Sequence, residues 1–200
     1  IKSRLSFMIR YDMDGSVTDI MRIALLKKSQ ERPEDVLIAE LLVWFALQMK
    51  DYEMALNQEI AIDRRMNDRE YDIIYLARIA RDNEQYDVAI TAYDYLIKKS
   101  KEGAYYPEAV VGLTEVQYVK SEIDGNSDYD FYSEFEKRIE NECLELGIND
   151  KTVPILIIRA EILSFKLDDN EKAITLLNDA LTLNLSKLNK AKLKMKLADI

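Results

Sequence analysis

The chain has no histidine and a single cysteine, Cys143, among its 200 residues. Without histidine there can be no Ser-His-Asp or Cys-His catalytic arrangement and no histidine-ligated metal site. One cysteine excludes an internal disulfide and any cluster of thiolate ligands. The sequence therefore predicts a protein that is not an enzyme, with no catalytic residue, no metal site and no cofactor.

Glycine and proline are also scarce, with five Gly and three Pro in the whole chain. These residues form most of the tight turns that a many-stranded sheet requires. Hydrophobic residues make up 48% of the chain, which is enough to build a substantial core. We therefore expect a folded, all-helical protein.

Negative charge dominates, and it is unevenly placed. The net charge of −9 opposes binding to the phosphate backbone of nucleic acids. Residues 122–145 hold nine acidic residues against Lys137 and Arg138, so this acidic stretch carries −7 of the total. By contrast, five lysines between 187 and 196 have no acid among them. This lysine run is either a solvated helix face or a contact for an acidic partner or an anionic membrane surface.

No apolar run approaches the roughly 20 residues that cross a bilayer, so we expect no direct membrane insertion by this segment. The chain begins with Ile1 rather than Met, and we interpret it as a fragment of a longer protein. A signal peptide or anchor would then lie outside it. The compartment, cytoplasmic or periplasmic, and the oligomeric state stay open.

A pattern recurs along the helical parts of the chain. Tyr52 stands three residues before Ala55, and Tyr86 stands three residues before Ala89. The interval between the two alanines equals one helix-pair repeat of about 34 residues. The pattern returns at Ala173, roughly two and a half repeat lengths beyond Ala89. Since this interval exceeds two whole repeats, the intervening repeat must carry an insertion.

These segments resemble tetratricopeptide repeats, whose unit of about 34 residues is a pair of antiparallel helices. The resemblance is strongest over residues 35–101 and 152–184. It implies an α-α superhelix of stacked helix pairs in one helical-repeat domain over residues 1–200. The expected parts are an N-terminal helix (16–34), repeats at 35–68, 69–103, 104–149 and 151–185, and the start of a further unit at 186–200.

Small and apolar residues occupy the expected core positions of both helices in a pair. They let paired helices approach closely. The first helices carry Ala39, Leu42, Val43 and Ala46, then Ile73, Leu76, Ala77 and Ala80. The second helices carry Ala55 with Ile62, Ala89 with Tyr93 and Leu96, and Ala173 with Leu177 and Ala180.

Two departures from the pattern stand out. Glu59 occupies a position where the first repeat would have an aromatic residue, and the repeat at 104–149 lacks the alanine signature. In that repeat we expect Cys143 to be a small core residue.

The loop from Asp124 to Asp130 places oxygen-bearing side chains at alternate positions, as a calcium loop does. Its sixth and twelfth positions are Tyr129 and Phe135, which do not fit a helix-loop-helix calcium site. We expect a polar loop in which Asp128 or Asp130 caps the next helix.

The resemblance also implies a concave groove lined by the first helices. In the repeat register, Glu40, Trp44, Leu47 and Gln48 share a side with Ile74, Arg78, Arg81 and Asp82. Trp44 and Arg78 are one repeat length apart, so the guanidinium could reach the indole ring of the neighbouring unit. We predict a partner-binding site formed by Glu40, Trp44, Arg78 and Arg81. In the alternative interpretation, Trp44 fills the core and the arginines pair with Glu40 or Asp82.

The expected function is a protein-interaction scaffold that binds a peptide or a partner helix in this groove, within a bacterial envelope or assembly complex. The alternative is a structural spacer, or a regulatory repeat domain attached to an enzyme outside this segment. We also expect Leu193, Leu197 and Ile200 to form an apolar face that lacks a partner helix.

Overall fold

A computed structural model describes residues 2–200, and its secondary structure is almost entirely helical. Within these residues there are eleven α-helices, which with one π-helical turn account for 78% of the chain, and no strand. The expected all-α fold is confirmed. The helices are Lys2–Arg10 (α1), Ser16–Glu31 (α2), Val36–Gln48 (α3), Tyr52–Met66 (α4), Glu70–Asp82 (α5), Tyr86–Lys99 (α6), Tyr106–Ile123 (α7), Tyr129–Leu146 (α8), Val153–Glu161 (α9), Asn170–Thr182 (α10) and Lys187–Asp199 (α11).

The chain divides into two compact units. The first unit covers residues 1–92 and the second covers residues 93–200, so the division falls inside α6. In the first unit, α3 packs against α2 and α4, and α4 packs against α5. In the second unit, α9 packs against α7, α8, α10 and α11. None of the helices within residues 2–200 combines the length and the apolarity that a bilayer crossing requires.

One turn geometry recurs where a helix pair reverses direction. Lys50, Glu84 and Asp168 all have a left-handed backbone, with φ of 56°, 61° and 57°. These residues are rarely left-handed, so the conformation indicates a defined turn. Each stands five residues before one of the signature alanines, Ala55, Ala89 and Ala173. The backbone therefore repeats with the same spacings as the sequence.

The hydrogen bond that closes each turn also recurs. Asp51 N donates to Ala46 O at 2.9 Å, and Gln85 N donates to Ala80 O at 2.8 Å. In the third turn, Asp169 N donates to Leu163 O at 2.8 Å, which spans six residues instead of five. This turn follows a π-helical turn, Ile162–Lys166, whose wider hydrogen-bonding pattern takes up more residues per turn.

The predicted small residues are buried. Ala55, Ala89, Ala173 and Ala180 are fully buried, as their places in the register predict. Cys143 is a buried core residue of the second unit, as expected, and burial raises the pKa of its thiol to about 11. The thiol therefore stays protonated and unreactive at neutral pH.

The repeat without the alanine signature uses a glycine instead. Gly112 of α7 lies against the ring of Tyr93 in α6, and a Cβ atom at this glycine would be 2.5 Å from Tyr93 Cζ. Such a contact is far inside van der Waals distance, so only glycine fits without a shift of the ring. Gly112 therefore lets α7 lie close to the ring of Tyr93 on α6.

The prediction of an unpartnered apolar face at the end of the chain is wrong. Leu193 is fully buried, and Leu197 and Ile200 pack against the core of the second unit. The register placed these residues in a further repeat, whereas α11 folds back on α9 and α10. The hydrophobic face predicted to need a partner thus finds one within the chain.

The acidic stretch is largely paired inside the second unit. Five of its nine acids form ion pairs: Glu122 with Lys166, Glu136 and Glu140 with Arg159, Glu142 with Arg138, and Glu145 with Lys101. Asp128 caps α8 by accepting hydrogen bonds from Asp130 N at 2.9 Å and Phe131 N at 3.4 Å, as predicted. The −7 charge is therefore not one open surface for a basic partner.

Candidate functional site

Two rows of side chains point away from the core of the first unit. The buried residues of α3 and α5 occupy one face of each helix, which leaves the positions i, i+4, i+7 and i+11 on the outer side. We call these rows the outward stripes. On α3 the stripe is Leu37, Leu41, Trp44 and Gln48, and on α5 it is Tyr71, Tyr75, Arg78 and Asp82. The members of the two stripes correspond pairwise at one repeat length.

The stripes are rich in apolar and aromatic surface. Leu37 is 71% exposed, Tyr71 is 58% exposed and Tyr75 is 50% exposed, while Leu41 and Trp44 are half-buried. The rings of Tyr71 and Tyr75 are nearly parallel, with centroids 6.4 Å apart and an angle of 8° between the planes. Exposed apolar side chains that are adjacent on one face are a common mark of an interaction surface.

The four predicted site residues have different surroundings in the structure. Trp44 and Arg78 lie on the outward stripes, both half-buried. Glu40 forms an ion pair with Arg69, and Arg81 Nε lies 3.0 Å from Asp82 Oδ1. The predicted contact between the Trp44 ring and the Arg78 guanidinium stays a prediction.

One member of the predicted groove is wrong. Ile74 is fully buried, so it belongs to the core of the first unit and not to the outer side of α5. Arg78 and Asp82 of the same prediction do lie on the outer side of α5. The residues that take the outer positions are Tyr71 and Tyr75, which the sequence interpretation did not include.

A network of charges joins α3 to the start of α5. Besides Glu40, the Arg69 guanidinium contacts Asp72 Oδ2 at 3.3 Å and Asp68 Oδ1 at 3.5 Å. The backbone N–H of Arg69 donates to Asp63 Oδ1 of α4 at 2.8 Å. Arg69 thereby holds the three helices together beneath the outward stripes.

Glu59 of α4 is the unusual member of this region. Its side chain is almost completely buried, and its Oε2 atom has no hydrogen-bond partner. Burial, together with the nearby carboxylate of Asp72, raises the pKa of the Glu59 carboxyl to about 7, while Arg69 acts in the opposite direction. A substantial fraction of the molecules therefore holds a neutral Glu59 at physiological pH.

The side chains of this surface offer apolar contact area and hydrogen-bonding groups. Leucine, tyrosine and tryptophan supply apolar area with few rotatable bonds, and Arg78 and Gln48 can add hydrogen bonds. Within residues 2–200, no group of three or more acidic or cysteine side chains is placed to hold a metal ion.

The two tyrosines and the two leucines of the stripes could have been found from the sequence. They share the repeat spacing of Trp44 and Arg78. On each helix they precede that residue by three and by seven positions, which places them on the same helix face. The prediction of Ile74 as a groove residue instead assigned a buried position of α5 to the groove.

Comparison with known proteins yields no match: no protein-family model, no curated protein and no solved structure matches this chain.

Proposed function

We propose that this chain is a protein-interaction scaffold and that the outward stripes of α3 and α5 bind a peptide or a partner helix. The observation that carries the proposal is the pair of apolar and aromatic rows, matched at one repeat length, on the outer side of two successive first helices. An isolated exposed leucine needs no explanation, but two aligned rows do.

The proposed architecture is a tetratricopeptide-like solenoid. The support for it is the recurrence of one turn, with a left-handed residue at Lys50, Glu84 and Asp168 and a buried alanine five residues later. In such a stack, the first helices of adjacent pairs lie side by side, and their outer faces form a continuous concave surface. The Arg69–Glu40 ion pair links α3 to the residue that precedes α5.

The expected mode of binding is burial of apolar side chains of the partner between the two stripes. Complete burial of a Leu or Phe side chain is worth about 1.5 to 3 kcal/mol. Tyrosine and tryptophan are the usual sites of concentrated binding energy, because they bury a large area at low entropic cost. The charged residues nearby, Glu40 and Arg81, already have partners within the unit and contribute specificity at the edge.

The test is capture of a partner from the source cell by the purified chain, followed by titration of the identified partner. We expect the variant Tyr71→Ser/Tyr75→Ser to weaken this binding at least tenfold, since it removes two exposed rings and leaves the core intact. The matched control is Leu144→Ser, which alters an exposed apolar residue of α8 in the second unit. Equal affinity of the wild type and the double variant would show that the stripes are not the docking surface.

A further inference from the structure

A carboxyl group is buried at the place where α3, α4 and α5 meet. Glu59 is only 6% exposed, and its Oε2 atom has no hydrogen-bond partner. In the repeat pattern an aromatic residue belongs at this position, so the carboxyl replaces an apolar group in the core. A buried oxygen of this kind costs free energy when it is neutral and much more when it is ionised.

The charges around Glu59 are predominantly negative. Two helices, α3 and α5, pack on α4. The charged groups that act on Glu59 are Glu40 of α3, Asp72 of α5, and Arg69, which directly precedes α5. On α4 itself, Asp63 lies one helical turn further on. Arg69 is the single cation of this group, and Glu40, Asp72 and Asp68 already share it. An ionised Glu59 would thus add a negative charge to a site whose cation, Arg69, already pairs with other carboxylates.

We propose that Glu59 is a proton-controlled switch of the first unit, in which the neutral acid maintains the packed joint of α3, α4 and α5 and its ionisation loosens that joint. The proton is released to solvent, and no other bond changes. The consequence for the outward stripes rests on the proposed function, because loosening this joint alters the spacing between α3 and α5. The proton step itself requires no partner.

The direction of the pH effect follows from linkage. The unfolded chain releases this proton near its ordinary value of 4.5, whereas the folded unit retains it up to about pH 7. Because the pKa of Glu59 is higher in the folded state, its contribution to the free energy of unfolding is complete below about pH 4.5. This contribution is lost as the pH rises through about 7. Between about pH 5 and pH 7, the ratio of folded to unfolded molecules falls by up to tenfold for each pH unit.

The composition of the chain makes this titration easy to isolate. The chain has no histidine, and the single cysteine titrates near 11. Burial also raises the pKa of Glu142 in the second unit, so the comparison of the wild type with Glu59→Gln assigns the titration to Glu59. The α-amino group titrates near 8 in any variant. Trp44, the one tryptophan, lies one turn from Glu40 on α3 and reports on the joint by its fluorescence.

The experiment follows Trp44 emission from pH 5 to pH 8.5 in the whole chain without denaturant and without a partner. We expect a sigmoidal change with a midpoint near 7 in the wild type and its loss in Glu59→Gln, which has the same shape but no charge. Thermal melting over the same pH range is the second measurement. The melting temperature of the wild type should fall between pH 5 and pH 8, and that of Glu59→Gln should change much less.

The variant Asp72→Asn separates a switch from a merely buried residue. It removes the carboxylate that raises the pKa of Glu59 most, so the midpoint of the fluorescence change should move to lower pH. If the wild type and Glu59→Gln coincide in both fluorescence and melting, the switch is refuted. Since neither measurement involves docking, that result would leave the outward stripes untouched, and a failed docking test would leave the switch untouched.

Discussion

Each unit of the molecule buries a glutamate beside an arginine, and the two sites differ in how the charge is balanced. In the second unit, Glu136 contacts the guanidinium of Arg159 at 2.8 Å and Lys172 Nζ at 3.1 Å, and Arg159 also pairs with Glu140, so two cations serve two carboxylates. In the first unit, Glu59 shares one arginine with three other carboxylates. The two glutamates are thus similarly buried, but the ratio of cations to carboxylates around them differs.

The two sites consequently have different physical roles. Arg159 links α8 and α9, and Lys172 adds α10, so the pairs of the second unit connect three helices. Such a network is costly to break, because removal of one partner leaves a buried charge without compensation. The site of Glu59 has one cation instead of two, and the carboxyl avoids an uncompensated charge by holding its proton.

The largest effect is expected when the balanced site is broken. Arg159→Met leaves Glu136 buried with only the half-exposed Lys172 beside it, and this should cost about 3 to 5 kcal/mol of unfolding free energy. Denaturant unfolding at pH 7 measures the loss. The matched control is Arg32→Met, whose ion pair with Asp35 lies at the surface, and it should cost less than about 1 kcal/mol.

The double variant Arg159→Met/Glu136→Leu completes the test of the balanced site. Removal of both charges leaves no uncompensated group, so most of the stability should return. If the single variant unfolds at the same denaturant concentration as the wild type, the buried network contributes nothing and the comparison of the two sites fails.

A smaller effect is expected at the unbalanced site, and it depends on pH. At pH 8, Glu59→Leu should stabilise the first unit by roughly 2 to 3 kcal/mol, because it removes a carboxyl that is ionised there and fills the space with apolar atoms. At pH 5 the same substitution should stabilise the unit less, since it then removes only a neutral unpaired oxygen and no charge. Equal effects at the two pH values would contradict the raised pKa.

Both units use alanine where helices approach closely, as at Ala55 and Ala173, and the second unit adds a glycine. Gly112 of that unit admits the ring of Tyr93. Gly112→Ala should cost about 1 to 2 kcal/mol, because overpacking outweighs the gain in helix propensity. The added Tyr93→Leu should recover part of the loss by making room for the new methyl group. Additive costs in the double variant would show that the two positions do not interact.

The sequence predicted the features that depend on periodicity. The spacing of Ala55, Ala89 and Ala173 was sufficient to locate the helix pairs, since a small residue is needed wherever two helices cross closely. It could not identify Gly112 as the small residue at the close contact with Tyr93, because the alanine spacing is absent from residues 104–149. Nor could it predict the return of Leu193 to the core, which depends on the path of α11.

The candidate site was predicted in part for a similar reason. Trp44 and Arg78 were found by the repeat spacing, but the partner of Glu40 was not, because Arg69 precedes the regular helical positions of α5. Glu59 was recognised as a departure from the pattern. Its pKa depends on Glu40, Asp72 and Arg69, which lie outside α4, and no local pattern brings those residues together.

The smallest expected effect lies in the lysine run of α11, where one lysine differs from its neighbours. Lys196 Nζ contacts Glu161 at 2.5 Å with both side chains about one-fifth exposed, whereas Lys192 and Lys194 are exposed and have no ion pair in the part of the chain that the structure describes. Lys196→Gln should therefore cost about 1 kcal/mol, and the cost should diminish in high salt only slightly because the pair is partly shielded from solvent. Lys192→Gln and Lys194→Gln should each change the unfolding free energy by less than about 0.5 kcal/mol.

Denaturant midpoints of the three variants at low and high salt measure the difference. If all three variants unfold together, Lys196 is a solvated residue like the others, and ion pairing adds nothing to the apolar contacts that hold α11 on the second unit.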